Sequence, residues 1–189
     1  DTAAMFFTSG TTGHPKGVCL DAAALQQVAA SLRAATGGKA DDRHVSVLPL
    51  STLLENLAGV YVPLLAGASC HLLPLAEVGL SGSTGLDIKK MLAALIECRA
   101  TTTILTPQLL HALVAAIEAG HPAPQQLRFV AVGGAPVAAR LLQRAEALGL
   151  PVFEGYGLSE CASVVALNTE SEHSTGSVGK PLAHAQVKF

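Results

Sequence analysis

Charge is scarce in this chain. Of its 189 residues only 14% are Asp, Glu, Lys or Arg, and 12 basic against 14 acidic side chains leave a net charge of −2. That gives no field for gathering nucleic acid or an anionic membrane surface. No cysteine pair has metal-ligand spacing: the four stand at 19, 70, 98 and 161, and read as small buried thiols rather than a zinc or disulfide framework. None of the seven histidines forms an HExxH or other i, i+4 pair, so they read as surface or structural residues. The N-terminus, Asp1-Thr2-Ala3-Ala4-Met5, lacks the basic start and cleavage site of a signal peptide. Long apolar runs are missing as well. The longest charge-free stretch, between Glu55 and Glu77, is interrupted by Gly59, Pro63, Gly67 and Pro74, which suits a helix ending near Gly67 and a strand Ser69–Leu73 better than a membrane span. What the chain does have is apolar mass: half its residues are hydrophobic and mean hydropathy is +0.44. This excludes disorder and suits one domain with an ample core. It is high for a free-standing soluble domain and suggests a piece of something larger.

The periodicity alternates strand and helix. Strands are expected at Ala3–Thr8, Val45–Leu50, Thr101–Leu105, Leu127–Val132, Pro151–Glu154, Ser163–Leu167 and Gln186–Phe189. Helices are expected from the Asp21 cap to Thr36, over Leu53–Ala66, from the Asp87 cap to Arg99, from Pro107 to Ala119 and over Val137–Leu148. The helices after Asp87 and Pro107 look apolar on most faces, and Ser81–Gly85 reads as a flexible loop. The pattern predicts an α/β fold, a mostly parallel sheet flanked by helices, in a single domain. Ligands of such sheets sit beyond the carboxyl ends of the strands. That directs attention to the loops Ser9–Gly17, Gly133–Pro136 and Gly155–Glu160.

The first of these packs hydroxyls, glycines and one lysine together: Thr8-Ser9-Gly10-Thr11-Thr12-Gly13-His14-Pro15-Lys16-Gly17-Val18. Glycine backbone approaches a ligand closely, N–H and hydroxyl groups donate to phosphate oxygens, and the lysine neutralises their charge. The order Lys16-Gly17-Val18 is not that of a Walker A loop, which needs Gly-Lys followed by a hydroxyl. The second segment, Phe153-Glu154-Gly155-Tyr156-Gly157-Leu158-Ser159-Glu160, sets an aromatic on bare backbone ahead of a hydroxyl and a carboxylate. It offers a stacking ring and reach toward a phosphate and its Mg²⁺. The third, Gly133-Gly134-Ala135-Pro136, lets a flat ligand lie on the backbone or simply turns a strand into a helix.

Together these segments resemble the acyl-adenylate-forming enzymes. TSGTTGHPKGV is similar to their phosphate loop and FEGYGLSE to their second motif. GGAP and the closing Gly176-Ser177-Val178-Gly179-Lys180-Pro181 match further stretches in family order. Leu48-Pro49-Leu50-Ser51 and the wording EGYGLSE lean toward the long-chain fatty acyl-CoA synthetases. The resemblance implies that Thr8, Ser9, Gly10, Thr11, Thr12, Gly13 and Lys16 wrap the β- and γ-phosphates of ATP. Gly133, Gly134, Ala135 and Pro136 line the adenine pocket, Tyr156 stacks on the ring, and Glu154, Gly155 and Gly157 belong to the same nucleotide site. Ser159, where the family usually has Thr, contacts the α-phosphate, and Glu160 coordinates Mg²⁺. Lys16, Ser159 and Glu160 are the implied catalytic residues. The acyl chain runs into a tunnel beside Gly133–Pro136, near the helix after Thr52, which stands where the family often has His.

The implied reaction joins a fatty acid to ATP as acyl-AMP with loss of pyrophosphate, then transfers the acyl group to CoA or an acyl carrier protein. The family's ribose-binding Thr-Gly-Asp motif and its C-terminal domain have no counterpart in these residues. The chain is therefore expected to be the central part of the large domain, residues 1–189, without turnover of its own, cytoplasmic or attached to a membrane surface. Two other readings stay open: a non-catalytic nucleotide- or acyl-binding module, and a self-associating piece.

Overall fold

The computed structural model describes residues 2–8, 14–82 and 85–188. Strands β1 (Thr2–Thr8) and β2 (Lys16–Asp21) form an antiparallel hairpin of their own. Lys16 and Gly17, expected in a loop, are instead the first rungs of β2, paired with Thr8 and Phe7. Helix α1 (Ala22–Ala35) starts where Asp21 accepts a hydrogen bond from the Ala24 amide at 2.7 Å.

Strand β3 (Arg43–Ser46) stops short of the expected Leu50; Pro49, with no N–H to give a ladder, follows soon after. The expected helix from Leu53 widens into a π-helical segment, Glu55–Tyr61, and returns to α geometry in α2 (Val62–Ala66) before Gly67 closes it at φ 73°. Pro63 has no N–H for the Gly59 carbonyl four residues back. The Cys70 thiol donates to that carbonyl at 3.0 Å.

Strand β4 (Ser69–Leu72) follows, and then a short hairpin, β5 (Leu80–Ser81) with β6 (Gly85–Leu86), where a flexible loop was expected. Asp87 caps α3 (Ile88–Glu97), β7 is Thr102–Leu105, and Thr106 caps α4 (Pro107–Glu118). Strand β8 (Phe129–Val132) leads to α5 (Ala139–Ala147), two residues later than expected, because the Val137 amide is tied to the Glu154 carboxylate at 3.3 Å. Strand β9 (Val152–Leu158) runs through the glycines read as loop. A 3₁₀ turn, Ser159–Cys161, connects it to β10 (Ser163–Leu167), and β11 (Lys180–Pro181) returns along β10. Gln186–Lys188 form no strand; Phe189 lies outside the described residues.

The main sheet has seven strands in the order β11-β10-β9-β8-β7-β3-β4. Strands β4, β3, β7, β8 and β9 are parallel, and β10 and β11 are antiparallel additions. The parallel part has the doubly wound 2-1-3-4-5 order, confirming an α/β fold with a mostly parallel sheet. Alternation along the strands divides the core. Val130, Val132 and Val152 face α3, α4 and α5, while Phe129 and Phe153 face α1 and the π segment, their rings stacked at 4.4 Å. Each helix is covered on one side only. Helix α3 buries Met91, Leu92, Ala94 and Leu95 and exposes Lys89, Lys90, Ala93, Ile96 and Glu97, fewer apolar faces than expected, whereas α4 exposes only Gln108, His111 and Glu118 and is apolar on most faces as expected. No described helix is long and apolar enough to cross a membrane.

Candidate functional site

A cleft of about 1030 Å³ opens at the carboxyl ends of β8 and β9, where the winding of the sheet places ligand sites. Four chain segments build it. The end of β1 (Met5 to Thr8) supplies one wall, and the residues entering the π segment (Ser51 to Leu54) another. The turn after β8 brings Gly133 and Gly134, and the β9–β10 hairpin brings Gly155, Tyr156, Gly157, Ser159 and Ser163. Residues as far apart in sequence as Met5 and Leu167 thus share one cavity.

The expected site residues fall into three groups. Thr8, Gly133, Gly134, Gly155, Tyr156, Gly157 and Ser159 line the cleft together. Lys16, Ala135, Pro136 and Glu160 are exposed but outside its lining: Lys16 stands across the hairpin from Thr8, and Glu160 follows Ser159 in the 3₁₀ turn. Ser9, Gly10, Thr11, Thr12 and Gly13 lie outside the described residues. Glu154 points elsewhere. It is buried, its carboxylate accepts from the Val137 amide, and its carbonyl accepts from Asn168 at 3.1 Å. That ties β8's turn, β9 and the segment after β10 together.

Tyr156 is 49% exposed and lines the cleft, where an aromatic side chain can take a flat partner. The two glycines beside it serve the strand rather than the ligand. A Cβ on Gly155 would meet Leu167 Cδ1 at 3.0 Å, and one on Gly157 would sit 1.7 Å from the Ser163 carbonyl oxygen. Bare backbone here lets β10 close on β9. Gly134 differs: it needs its φ of 84° for the turn, with open space around it. Thr52 lines the cleft, its hydroxyl donating to the Pro49 carbonyl at 2.8 Å.

Beneath the cleft, between the sheet and the α1–α2 layer, lies an apolar cavity of about 70 Å³. The two share Leu54, Ala131, Val164 and Leu167 as walls. One side of the cavity is His44, 3% exposed, whose Nδ1 meets Thr102 Oγ1 at 3.0 Å and whose Nε2 meets Glu55 Oε1 at 3.1 Å. Glu55 is fully buried, and its Oε2 finds no partner among the described residues. Gly59 makes room for it, since a Cβ there would fall 2.3 Å from Glu55 Oε1. Burial, and then the Glu55 carboxylate, push the Cys70 thiol up to about 11. Sequence reading missed this pair, the Met5–Phe7 wall and Ser163, since none carries a local pattern. Against the expectation of buried thiols, Cys19 and Cys161 are exposed and Cys70 and Cys98 only partly buried; all four cysteines are free.

For Mg²⁺ the described residues offer no cluster of three or more His, Cys, Asp or Glu. A lone exposed carboxylate such as Glu160 fits an ion that takes its remaining ligands from phosphate oxygens and water.

Comparison with known proteins agrees with this architecture. The chain is 30% identical to a 2-succinylbenzoate–CoA ligase of Bacillus pumilus (strain SAFR-032) over 190 residues, covering 100% of the chain and 36% of the relative. It is 34% identical to an oxalate–CoA ligase of Arabidopsis thaliana over 188 residues, 96% of the chain and 35% of the relative. Among solved structures, the O-succinylbenzoate coenzyme A synthetase of Bacillus subtilis in complex with AMP superposes with a TM-score of 0.80 at 26% identity, over 97% of this chain and 36% of that one. The anthranilate CoA ligase AuaEII, in complex with anthranoyl-AMP, shares the fold with a TM-score of 0.84 at 23% identity, over 97% and 34%. The chain thus spans little more than a third of the relatives it matches. The acids in these names are aromatic or dicarboxylic rather than long-chain. The family model for AMP-binding enzymes matches residues 1–189, and the chain belongs to that family.

Proposed function

We propose that this chain is the nucleotide-holding part of an ATP-dependent acid–CoA ligase, the central portion of its large domain, acting on a compact carboxylic acid. The observation that carries the reading is the convergence of Thr8, Gly133, Gly134, Tyr156 and Ser159 on one cleft at the carboxyl ends of parallel strands. A flat base stacks on Tyr156 over the Gly133–Gly134 turn. Its phosphates extend toward Ser159 on one side and, through Thr8 and the residues Ser9–Gly13, toward Lys16 on the other. The substrate carboxylate attacks the α-phosphorus and pyrophosphate leaves; a thiol, that of CoA or of a carrier protein, then attacks the acyl carbonyl and AMP leaves. Neither step needs a covalent intermediate on this chain. Its residues hold the reactants in line and offset charge: Lys16 at the β- and γ-phosphates, the Ser159 hydroxyl at the α-phosphate. Mg²⁺, held by Glu160 and phosphate oxygens, adds charge neutralisation when bound.

The cavity below the cleft supports a compact acid. An engineered cavity of about 150 Å³ admits benzene, and the space here is about 70 Å³, room for a few carbons rather than a long alkyl chain. The acids in the relatives' names likewise carry no long alkyl chain, and oxalate is of the size such a space takes.

Calorimetric titration of the chain with AMP and with Mg·ATP tests the reading. Binding should be measurable, and Tyr156→Ala should weaken it about tenfold or more, the cost of losing one base–aromatic stack of about 1–3 kcal/mol. Absence of binding up to millimolar nucleotide, or a Tyr156→Ala variant that binds like the parent, would overturn it.

A further inference from the structure

The β9–β10 hairpin holds two successive non-glycine residues with left-handed backbones: Ala162 at φ 54° and Ser163 at φ 96°. Among the described residues only Arg99, on the α3–β7 connection, shares this sign without being glycine. Backbone of this kind persists where the surroundings over-determine it, and it gathers at functional sites. Here the surroundings are visible. Ala162 is 4% exposed and its amide donates to the Ser159 carbonyl at 3.1 Å, closing the 3₁₀ turn. Opposite, Gly157 has no Cβ, and the Ser163 carbonyl oxygen occupies the space one would fill.

Glycine would occupy position 163 without strain; what serine adds is a hydroxyl. Ser163 is 7% exposed and lines the cleft, as does Ser159 at the other end of the same turn. A hydroxyl-bearing residue in the wall of a ligand cavity can take a ligand as its partner. A phosphoryl group offers only acceptors, and a rotating hydroxyl suits them.

We propose that Ser163 is a ligand-positioning residue of this cleft. Its hydroxyl donates a hydrogen bond to a phosphoryl oxygen of the bound adenylate, alongside Ser159, and the strained Ala162–Ser163 backbone is what aims it. The proposal rests on the cleft being an adenylate site.

The test is calorimetry of AMP and of adenosine against the parent chain, Ser163→Ala and Ser163→Gly, with the thermal midpoint of each. Both variants should lose about tenfold in AMP affinity, the size of one hydrogen bond to a charged group, and nothing in adenosine affinity. Ser163→Gly, whose backbone accepts φ 96°, should be at least as stable as the parent, so affinity falls while stability does not. A merely structural serine would move affinity and midpoint together, or weaken AMP and adenosine alike, and either result overturns the proposal. AMP affinity within about twofold of the parent in both variants overturns it too. Should Ser163→Ala fail to fold, Ser163→Gly decides. If the parent binds neither ligand, the adenylate reading falls and this proposal with it; if the parent binds AMP and the variants bind it equally, only this proposal falls.

Discussion

Gly157 and Gly134 are both glycines beside the cleft, yet alanine should be tolerated very differently at the two. A Cβ on Gly157 would collide with backbone of β10 at 1.7 Å, and backbone cannot rotate aside as a side chain can. Gly157→Ala should therefore part the β9–β10 hairpin and cost about 3 kcal/mol or more in urea unfolding. Gly134→Ala meets nothing within 4 Å and bears only the strain of φ 84°, about 1 kcal/mol. The cysteines divide by environment in the same manner. Cys70 is held protonated by burial and by Glu55, and burial and then Glu97 raise Cys98, whereas Cys19 and Cys161 are exposed. Brief treatment of the native chain with iodoacetamide at pH 8 should label Cys19 and Cys161 first, and peptide mass mapping would read this directly.

Between elements, the strongest polar tie is at the amino end of the sheet. Arg128, just before β8, pairs with Asp42, just before β3; its Nε meets Asp42 Oδ1 at 2.6 Å. The same guanidinium donates to the Thr36 and Gly37 carbonyls at 2.9 and 3.3 Å, satisfying the open end of α1. Burial pushes the Asp42 carboxyl up. Hydrogen bonds from Arg128, the Lys39 amide and Thr101, with the Arg128 charge, outweigh it and hold the group below its ordinary 3.8. A depressed folded-state value means that protonation favours the unfolded chain. The contribution is complete above the unfolded value and is lost as pH falls through the folded one. Asp42→Asn should cost about 3 kcal/mol at pH 7 by leaving the Arg128 charge without its carboxylate, and the gap to the parent should narrow in paired urea titrations as pH falls through the depressed folded-state value. Helix ends of this kind were largely legible in the sequence. Asp21 and Asp87 announce their helices because a short carboxylate there has free amides to accept from. β9 was not legible, because Gly155 and Gly157 look like loop until β10 is seen to lie against them. β2 was hidden for a related reason: Lys16-Gly17 becomes strand only through pairing with Thr8 and Phe7.

At the scale of the molecule, ligand and fold should be coupled. The cleft draws on β1, the segment before the π helix, β8 and β9–β10 at once, so a ligand held there stabilises the assembled state alone. AMP at a hundred times its dissociation constant should raise the unfolding free energy by about 2.7 kcal/mol, read as a shift of the urea midpoint. The chemistry proposed for the cleft starts from a pattern visible in the sequence, because a phosphate-binding loop needs glycine, hydroxyl and lysine close together. The walls of the cleft were not visible there: Ser163, the Met5–Phe7 face and the His44–Glu55 pair arise from contacts between distant segments with no period to betray them. The π-helical segment carries a consequence for how this chain tolerates length change. It winds more residues into each turn than an α-helix does, and Pro63, Gly67 and β4 anchor everything after it. Loss of a single codon among those for Asn56 to Val60 would let the segment relax to α geometry. Because the segment already winds extra residues into its turns, such a deletion leaves α2 in place and keeps Ser51, Thr52 and Leu53 on nearly the same face of the helix. Loss of one residue from an α-helical stretch such as α4 would instead turn one end against the other by about 100°.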